Sequence, residues 1–105
     1  MRVTYPTAIV LQALAHGYRY GFEIIDATGL SAGTVNPILR RLEAEELARS
    51  RWEQVGRDDA GGRPPRRNYR LTAEGREAAR HALARYPAVA LQFVPARIAA
   101  GPAKA

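Results

Sequence analysis

Apolar residues recur at helical spacing in the central part of the chain. Val35, Ile38, Leu39 and Leu42 stand at positions i, i+3, i+4 and i+7, which form one face of an α-helix. Ser31 precedes this stripe and is a good N-cap residue. The pattern therefore predicts a helix, helix 3, that begins after Ser31 and buries the four apolar side chains.

Two further helices are predicted before this one. Thr4 and Pro6 suit a helix entrance, and the apolar run that follows predicts helix 1 over residues 6–16. Its apolar coverage is too broad for one face, so we expect it to be buried on more than one side. A second apolar cluster predicts a short helix 2 over residues 20–28, ending at Gly29.

The chain changes character after helix 3. Residues 47–55 and 66–71 alternate loosely between apolar and polar, and a Gly/Pro-rich stretch joins them. Two strands with such a connection predict a β-hairpin, with Tyr69 and Leu71 on one side. Trp52 in the first strand either marks a ligand pocket or packs against the helices, and we expect packing.

A fourth helix is predicted from Thr72, its N-cap, to Pro87, which interrupts it. Its small apolar residues would let another helix approach closely, and the apolar segment 88–94 beyond it would otherwise be an exposed patch. A chain of 105 residues also gains by burying surface against a partner. We therefore expect a homodimer; the alternative is that segment 88–94 folds back onto its own helix 1. The predicted dimerisation residues are Ala78, Ala79, Ala82, Leu83, Tyr86, Val89 and Phe93.

The order helix, helix, capped helix, hairpin, helix is that of a winged helix-turn-helix. We predict a mainly α fold with a small β-hairpin: a DNA-binding domain over residues 1–71, a C-terminal dimerisation helix with its extension over 72–98 and a flexible tail over 99–105. In such folds the second helix of the motif enters the DNA major groove. Helix 3 has that place here, and its polar face suits the task. That face consists of Gly33, Thr34, Asn36, Pro37, Arg40 and Arg41.

The charge balance favours a polyanionic partner. The chain has 16 Lys and Arg against 10 Asp and Glu, a net charge of +6 and an isoelectric point near 10.5. Double-stranded DNA is the first candidate and an acidic membrane the second. Arginines cluster around the hairpin connection, where Pro64 and Pro65 would hold the chain stiff. The wing arginines that we expect to contact the DNA backbone or minor groove are Arg63, Arg66 and Arg67.

Several classes of site have little support in the sequence. There is no cysteine, and His16 and His81 lie far apart in the sequence without an obvious carboxylate or histidine at metal-ligand spacing, so we predict no metal and no other cofactor. No serine or threonine candidate for a nucleophile has a nearby histidine, so we do not expect an enzyme. No apolar run approaches the roughly 20 residues of a membrane span, and the first residues lack the apolar region of a signal peptide. We therefore expect a cytoplasmic protein without a membrane partner.

Three motifs together resemble the phenolic-acid-decarboxylase repressor (PadR) family of bacterial transcription regulators. They are YGFEI at Tyr20–Ile24, SAGTVNPILRRLE at Ser31–Glu43 and GRPPRRNYRLTAEG at Gly62–Gly75. The resemblance implies a homodimeric winged-helix protein, most often a repressor, that a small-molecule effector releases from DNA. Two-fold symmetry would in turn require an inverted-repeat operator.

The resemblance also implies which residues contact DNA. At the start of helix 2, Tyr20 and Gly21 either contact a phosphate through the helix amides or, in the case of Tyr20, pack half-buried. The chain departs from the family at Asn36, where tyrosine is usual, and at Pro87, which cuts the family's long final helix. The contacts implied on helix 3 and the wing are Ser31, Thr34, Asn36, Pro37, Arg40, Arg63 and Arg66.

An alternative function is protein–protein interaction without sequence-specific DNA binding. In that case the polar face of helix 3 should tolerate changes that neutralise charge, and the wing arginines should bind an acidic partner.

Overall fold

A computed structural model describes residues 2–53 and 66–91 of the chain. The described part is mainly helical with one antiparallel hairpin, as predicted. The hairpin connection and the C-terminal residues lie outside it, and with them the predicted wing residue Arg63 and dimerisation residue Phe93. The elements in chain order are α1 (Tyr5–Ala15), α2 (Gly21–Thr28), α3 (Ala32–Ala44), β1 (Ala48–Glu53), β2 (Arg66–Leu71), α4 (Ala73–Arg85) and a short 3-10 helix (Pro87–Leu91).

The helix boundaries follow from capping residues. The Thr4 hydroxyl accepts a hydrogen bond from the backbone N–H of Thr7, and the Thr72 hydroxyl accepts one from that of Gly75 at 3.0 Å. Gly29 ends α2 with φ of 78°, a left-handed conformation that costs glycine little, and its N–H bonds to the Ile25 carbonyl. The four predicted helices are therefore confirmed: helices 1, 2 and 4 match their predicted bounds to within two residues, and helix 3 begins after Ser31.

Helix α1 is the centre of the core. Every residue from Thr7 to Leu14 is buried, which confirms the expected burial on more than one side. The helix packs against α2, α3, α4 and the 3-10 helix. Its one buried amide, Gln12, donates through Nε2 to the Ala79 carbonyl at 2.7 Å, so this polar group in the core is hydrogen-bonded.

The apolar stripe of α3 faces this core as predicted. Val35, Ile38, Leu39 and Leu42 are each at most 5% exposed. Burying four aliphatic side chains of this size contributes about 1.5–3 kcal/mol each before conformational entropy is subtracted. The opposite face of α3 is thereby fixed towards solvent.

The hairpin has a regular antiparallel register. Ala48 pairs with Leu71 at its base, and Glu53 pairs with Arg66 at the last described positions. The backbone N–H of Tyr69 also donates to the Arg19 carbonyl at 2.8 Å, which ties β2 to the stretch before α2. The predicted hairpin is confirmed over these residues.

The exposure of Trp52 shows that one prediction was wrong. Its side chain is 59% exposed, so it does not pack against the helices as expected. The reason is its position along β1: Ala48, at the strand's start, is buried, and four further residues of extended chain carry Trp52 roughly 13 Å beyond it. The hairpin therefore projects out of the core before its connection begins.

The predicted dimer surface needs a second correction. Ala79, Ala82 and Val89 are at most 3% exposed within the single chain, because α4 and the 3-10 helix both pack on α1. The Tyr86 ring meets Tyr5 edge-on at 5.6 Å between centroids. The alternative prediction, in which the segment after Pro87 folds back, is therefore the one the structure bears out for residues 87–91.

Candidate nucleic-acid interface

The exposed face of α3 presents a continuous polar surface. Asn36, Pro37, Arg40 and Arg41 are all exposed, and Thr34 is half-buried in the first turns of the helix. Pro37 lies inside α3 without ending it. The burial of the opposite stripe therefore places the predicted contact residues of this helix together on its outer side.

The start of α3 exposes two hydroxyl groups. Ser31 is the N-cap residue, as predicted, and its carbonyl accepts hydrogen bonds from the N–H groups of Thr34 and Val35. Its hydroxyl does not cap a backbone amide but bonds to the Thr34 hydroxyl at 3.2 Å. Both hydroxyls can act as donor or acceptor, so this pair is suited to a phosphate oxygen or a base edge.

Asn36 lies beside the start of α2, at Gly21. A Cβ atom added to Gly21 would sit 3.1 Å from the Asn36 Oδ1 and 3.6 Å from the Leu39 Cδ1. Glycine at the first position of α2 thus allows the two helices of the motif to approach. Asn36 itself is exposed to solvent.

Tyr20 joins α2 to the hairpin. Its hydroxyl donates to the Glu53 carboxylate at 2.8 Å and 2.9 Å from the two oxygens, and this hydrogen bond raises the pKa of the Tyr20 phenol. Its ring stacks on that of Phe22, with 5.3 Å between centroids and 8° between planes. These contacts agree with the interpretation of Tyr20 as a half-buried packing residue. A phosphate contact by Tyr20 stays a prediction.

Glu53 gathers a set of partners that we name the Glu53 clamp: Tyr20, Glu53, Arg66 and Asn68. Asn68 Nδ2 donates to the carboxylate at 2.8 Å, and the Arg66 guanidinium lies 3.8 Å from it and 4.7 Å above the Tyr20 ring. The hydrogen bonds from Asn68 and then from Tyr20 hold the pKa of Glu53 below its ordinary value. The clamp fixes the hairpin to the start of α2.

A second set, the Glu43 clamp, lies on the other face of the hairpin: Glu43, Ser50, Trp52 and Arg67. The Ser50 hydroxyl donates to the Glu43 carboxylate at 2.7 Å, and Arg67 Nη1 lies 4.0 Å from it. The Arg67 guanidinium also lies 5.0 Å from the centre of the Trp52 ring, within cation–π range. This clamp fixes the hairpin to the end of α3.

Sequence reasoning did not find Glu43 and Glu53 or the two clamps. Arg66 and Arg67 were expected at the wing, and each is held by one clamp at the start of β2, directly after the hairpin connection. Predicting the clamps would have required the strand register, which sets Glu53 opposite Arg66 and Trp52 opposite Arg67. A connection of twelve residues, 54–65, does not fix register in the way a two-residue turn does.

Two other classes of site find no support in the part of the chain that the structure describes. No three histidine or acidic side chains there lie close enough to hold a metal ion. No described helix is long and apolar enough to cross a membrane.

The chain matches a known protein family over most of its length. The family model of the "Transcriptional regulator PadR-like family" matches residues 10–81, more than half of the chain. The chain belongs to this family. Its members are transcription regulators and not enzymes, and the helices and hairpin form the family's winged helix-turn-helix. A search of functionally characterised proteins found no match.

Solved structures of transcription regulators, some of them of the PadR family, share the fold. A PadR family transcription regulator from Clostridium difficile R20291 has 25% sequence identity and a TM-score of 0.64, with 80% of this chain and 88% of that chain covered. One from Eggerthella lenta has 27% identity and a TM-score of 0.60, covering 78% and 74%. The regulator PcaV from Streptomyces coelicolor, solved with its natural ligand, has 26% identity and a TM-score of 0.63, covering 97% and 70%.

Proposed function

We propose that this PadR-like protein is a homodimeric transcriptional repressor that binds an inverted-repeat operator through α3 and the wing. The observation that carries the proposal is the exposed face of α3, where two hydroxyls, Asn36 and two arginines lie opposite a fully buried apolar stripe. A helix of this form can enter the major groove without uncovering the core.

The residues on α3 divide by the contacts they can make. Arg40 can donate two hydrogen bonds to a guanine edge, and Asn36 can pair with an adenine in the same way. Ser31, Thr34 and Arg41 are suited to phosphate oxygens, which fix the register of the protein on the duplex. Asn36 therefore reads sequence in this chain at the position where the resemblance leads one to expect a tyrosine.

The wing supplies the part of binding that is independent of sequence. The guanidinium groups of Arg66 and Arg67 are engaged in the two clamps, yet their side chains remain 39% and 37% exposed. Each can therefore meet a phosphate while it still positions the wing. Arg63, outside the described residues, is proposed as a further phosphate contact.

Control by a small molecule is part of the proposal. The similar regulator PcaV was solved with its natural ligand. An effector that binds the DNA-free form better than the DNA-bound form would lower operator affinity by the ratio of its two affinities. We propose release of this kind, and no cofactor.

The test is fluorescence anisotropy with labelled DNA from upstream of the gene that encodes the chain. We expect specific binding that tightens as salt is lowered, because phosphate contacts release counterions. Random DNA of equal length is the control. Equal affinity for both DNAs at every salt concentration would contradict an operator-binding function and favour the protein-interaction alternative.

The sharpest variant for this test is Arg40→Ala. Loss of a bidentate base contact should weaken operator binding by about 1–3 kcal/mol, roughly 5- to 150-fold, and relax specificity at one base pair. Arg80→Ala, an exposed arginine on α4 that pairs with Glu77, is the matched control and should bind as the wild type does. Unchanged affinity of a folded Arg40→Ala protein would remove Arg40 from the interface.

A further inference from the structure

The outer face of the hairpin base carries a recess rich in arginine. It has a volume of about 410 Å³ and lies between β1, β2 and the beginning of α4. None of the described residues that line it is acidic. Its four basic residues are Arg49, Arg51, Arg70 and Arg76. We name this surface the arginine recess.

The fold itself does not account for this arrangement. Arg49 and Arg70 stand directly opposite each other on adjacent strands. Like charges in this position destabilise a hairpin, because their Cβ atoms lie only about 5 Å apart. Among the described residues, no ion pair includes Arg49, Arg70 or Arg76, whereas Arg66 and Arg67 at the other end of the hairpin are both paired.

We infer that the arginine recess binds a small organic anion with two or more negative charges, such as a polycarboxylate or a phosphate ester. Carboxylate and phosphate oxygens match the fork of the guanidinium group, so several arginines can hold one such molecule. The volume lies within the range of small-molecule sites. A bound anion would also cancel the repulsion between Arg49 and Arg70.

A small molecule fits the recess better than the DNA backbone does. The recess is concave, and it lies at the base of the hairpin beside α4. The proposed DNA surface lies elsewhere, on the exposed face of α3 and at the other end of the described hairpin, where Arg66 and Arg67 stand. The inference therefore goes beyond the proposed function and does not require DNA binding to be true.

The test is isothermal titration calorimetry of the full chain with citrate and, separately, with inorganic phosphate, at ionic strength held constant with sodium chloride. We expect saturable binding to at least one of them. Arg49→Gln and Arg70→Gln should each weaken it about tenfold or more, since each removes charge-assisted hydrogen bonds. Arg80→Gln removes the same charge outside the recess and should bind as the wild type does.

Thermal unfolding keeps the test decisive if a variant is less well folded. At ten times its dissociation constant the anion should raise the wild-type Tm by about 5–10 °C. Without anion, Arg70→Gln should melt about 1–5 °C higher than the wild type, because the repulsion is gone. With anion it should gain little.

The outcomes separate the two sources of the anion. Binding of citrate alone assigns a carboxylate ligand, and binding of phosphate alone assigns a phosphate ester. No saturable binding of either, or binding that Arg49→Gln and Arg70→Gln leave unchanged, would overturn the proposal. Lower DNA affinity of Arg70→Gln without anion binding would also overturn it, and would assign the recess to the DNA backbone.

Discussion

At the scale of single residues, Gly75 is a position where the packing allows no side chain. A Cβ atom there would overlap the carbonyl oxygen of Leu47, which already accepts a hydrogen bond from the Thr72 N–H. Backbone cannot move aside as a flexible side chain can. Gly75→Ala should therefore cost at least about 2 kcal/mol of unfolding free energy, measured by urea denaturation.

The matched control for this prediction is Gly33→Ala in α3. A Cβ atom at Gly33 would meet nothing closer than the Ser31 Oγ at 3.8 Å. Alanine loses less backbone entropy than glycine when a helix forms, so this change should stabilise the protein by about 0.5–1 kcal/mol. Similar effects of the two substitutions would mean that helix propensity, and not the contact with Leu47, decides both.

Glu53 gives a prediction on pH. Its folded-state pKa lies below its ordinary value of 4.5, so it binds its proton less readily in the folded state. The stability that it contributes is present above the unfolded-state pKa and is lost as pH falls through the folded-state pKa. Between about pH 6 and pH 3, Glu53→Gln should therefore lose less stability than the wild type.

The measurement is the urea midpoint at each pH. Asp26→Asn, at an exposed position of α2, is the control and should follow the wild-type curve. Parallel curves for Glu53→Gln and the wild type would show that the Glu53 clamp does not depend on the charge of the carboxylate.

At the scale of elements, the spacing of residues along the chain predicted the features that lie within a single helix. The stripe of α3 and the caps of α1 and α4 were predictable because each depends on neighbouring positions in one helix. The clamps were not, since they depend on the strand register and on how the hairpin leaves the core. Trp52 shows the difference: a large apolar residue in a strand was expected to be buried, and it stacks instead on Arg67 in solvent.

The Glu53 clamp should matter for DNA binding through the orientation of the wing. Arg66→Lys keeps the charge but loses the planar group that lies over Tyr20 and Phe22, and it should weaken operator binding about 2- to 5-fold with the salt dependence unchanged. Arg66→Ala should bind more weakly still, and its slope against log salt should flatten by about one unit if a phosphate contact is lost. Wild-type affinity of Arg66→Lys would show that the clamp does not orient the wing for DNA.

At the scale of the whole molecule, the sequence could not show which apolar residues form the core of one protomer and which form an interface. Ala79, Ala82 and Val89 have the composition of either a core or an interface, and the decision depends on where α1 lies. The fold places α4 along α1 and returns the chain after Pro87 onto the same helix. Three of the seven residues predicted for dimerisation are therefore core residues of one protomer.

The homodimer remains a prediction. Fewer of the predicted residues are available for its interface, because three of them are buried within one protomer. Leu83 on α4 is only half-buried and does not belong to the cluster packed on the core, whereas Ala78 and Tyr86 do. We expect Leu83 to lie in the interface, together with Phe93. An aspartate there would have to be buried without a partner, so Leu83→Asp should weaken the dimer by several kcal/mol.

Sedimentation equilibrium at micromolar concentration tests this prediction. The wild type and Ala84→Asp, which places the same charge at the adjacent exposed position of α4, should be dimers, and Leu83→Asp should be a folded monomer. A chain ending at Leu91 keeps Val89 in the core and would show what the later residues contribute. Because a dimer would present two α3 helices about 34–36 Å apart, Leu83→Asp should also lose its preference for an inverted repeat over a single half-site. A monomeric wild type would contradict the dimer, and with it the symmetry of the proposed operator.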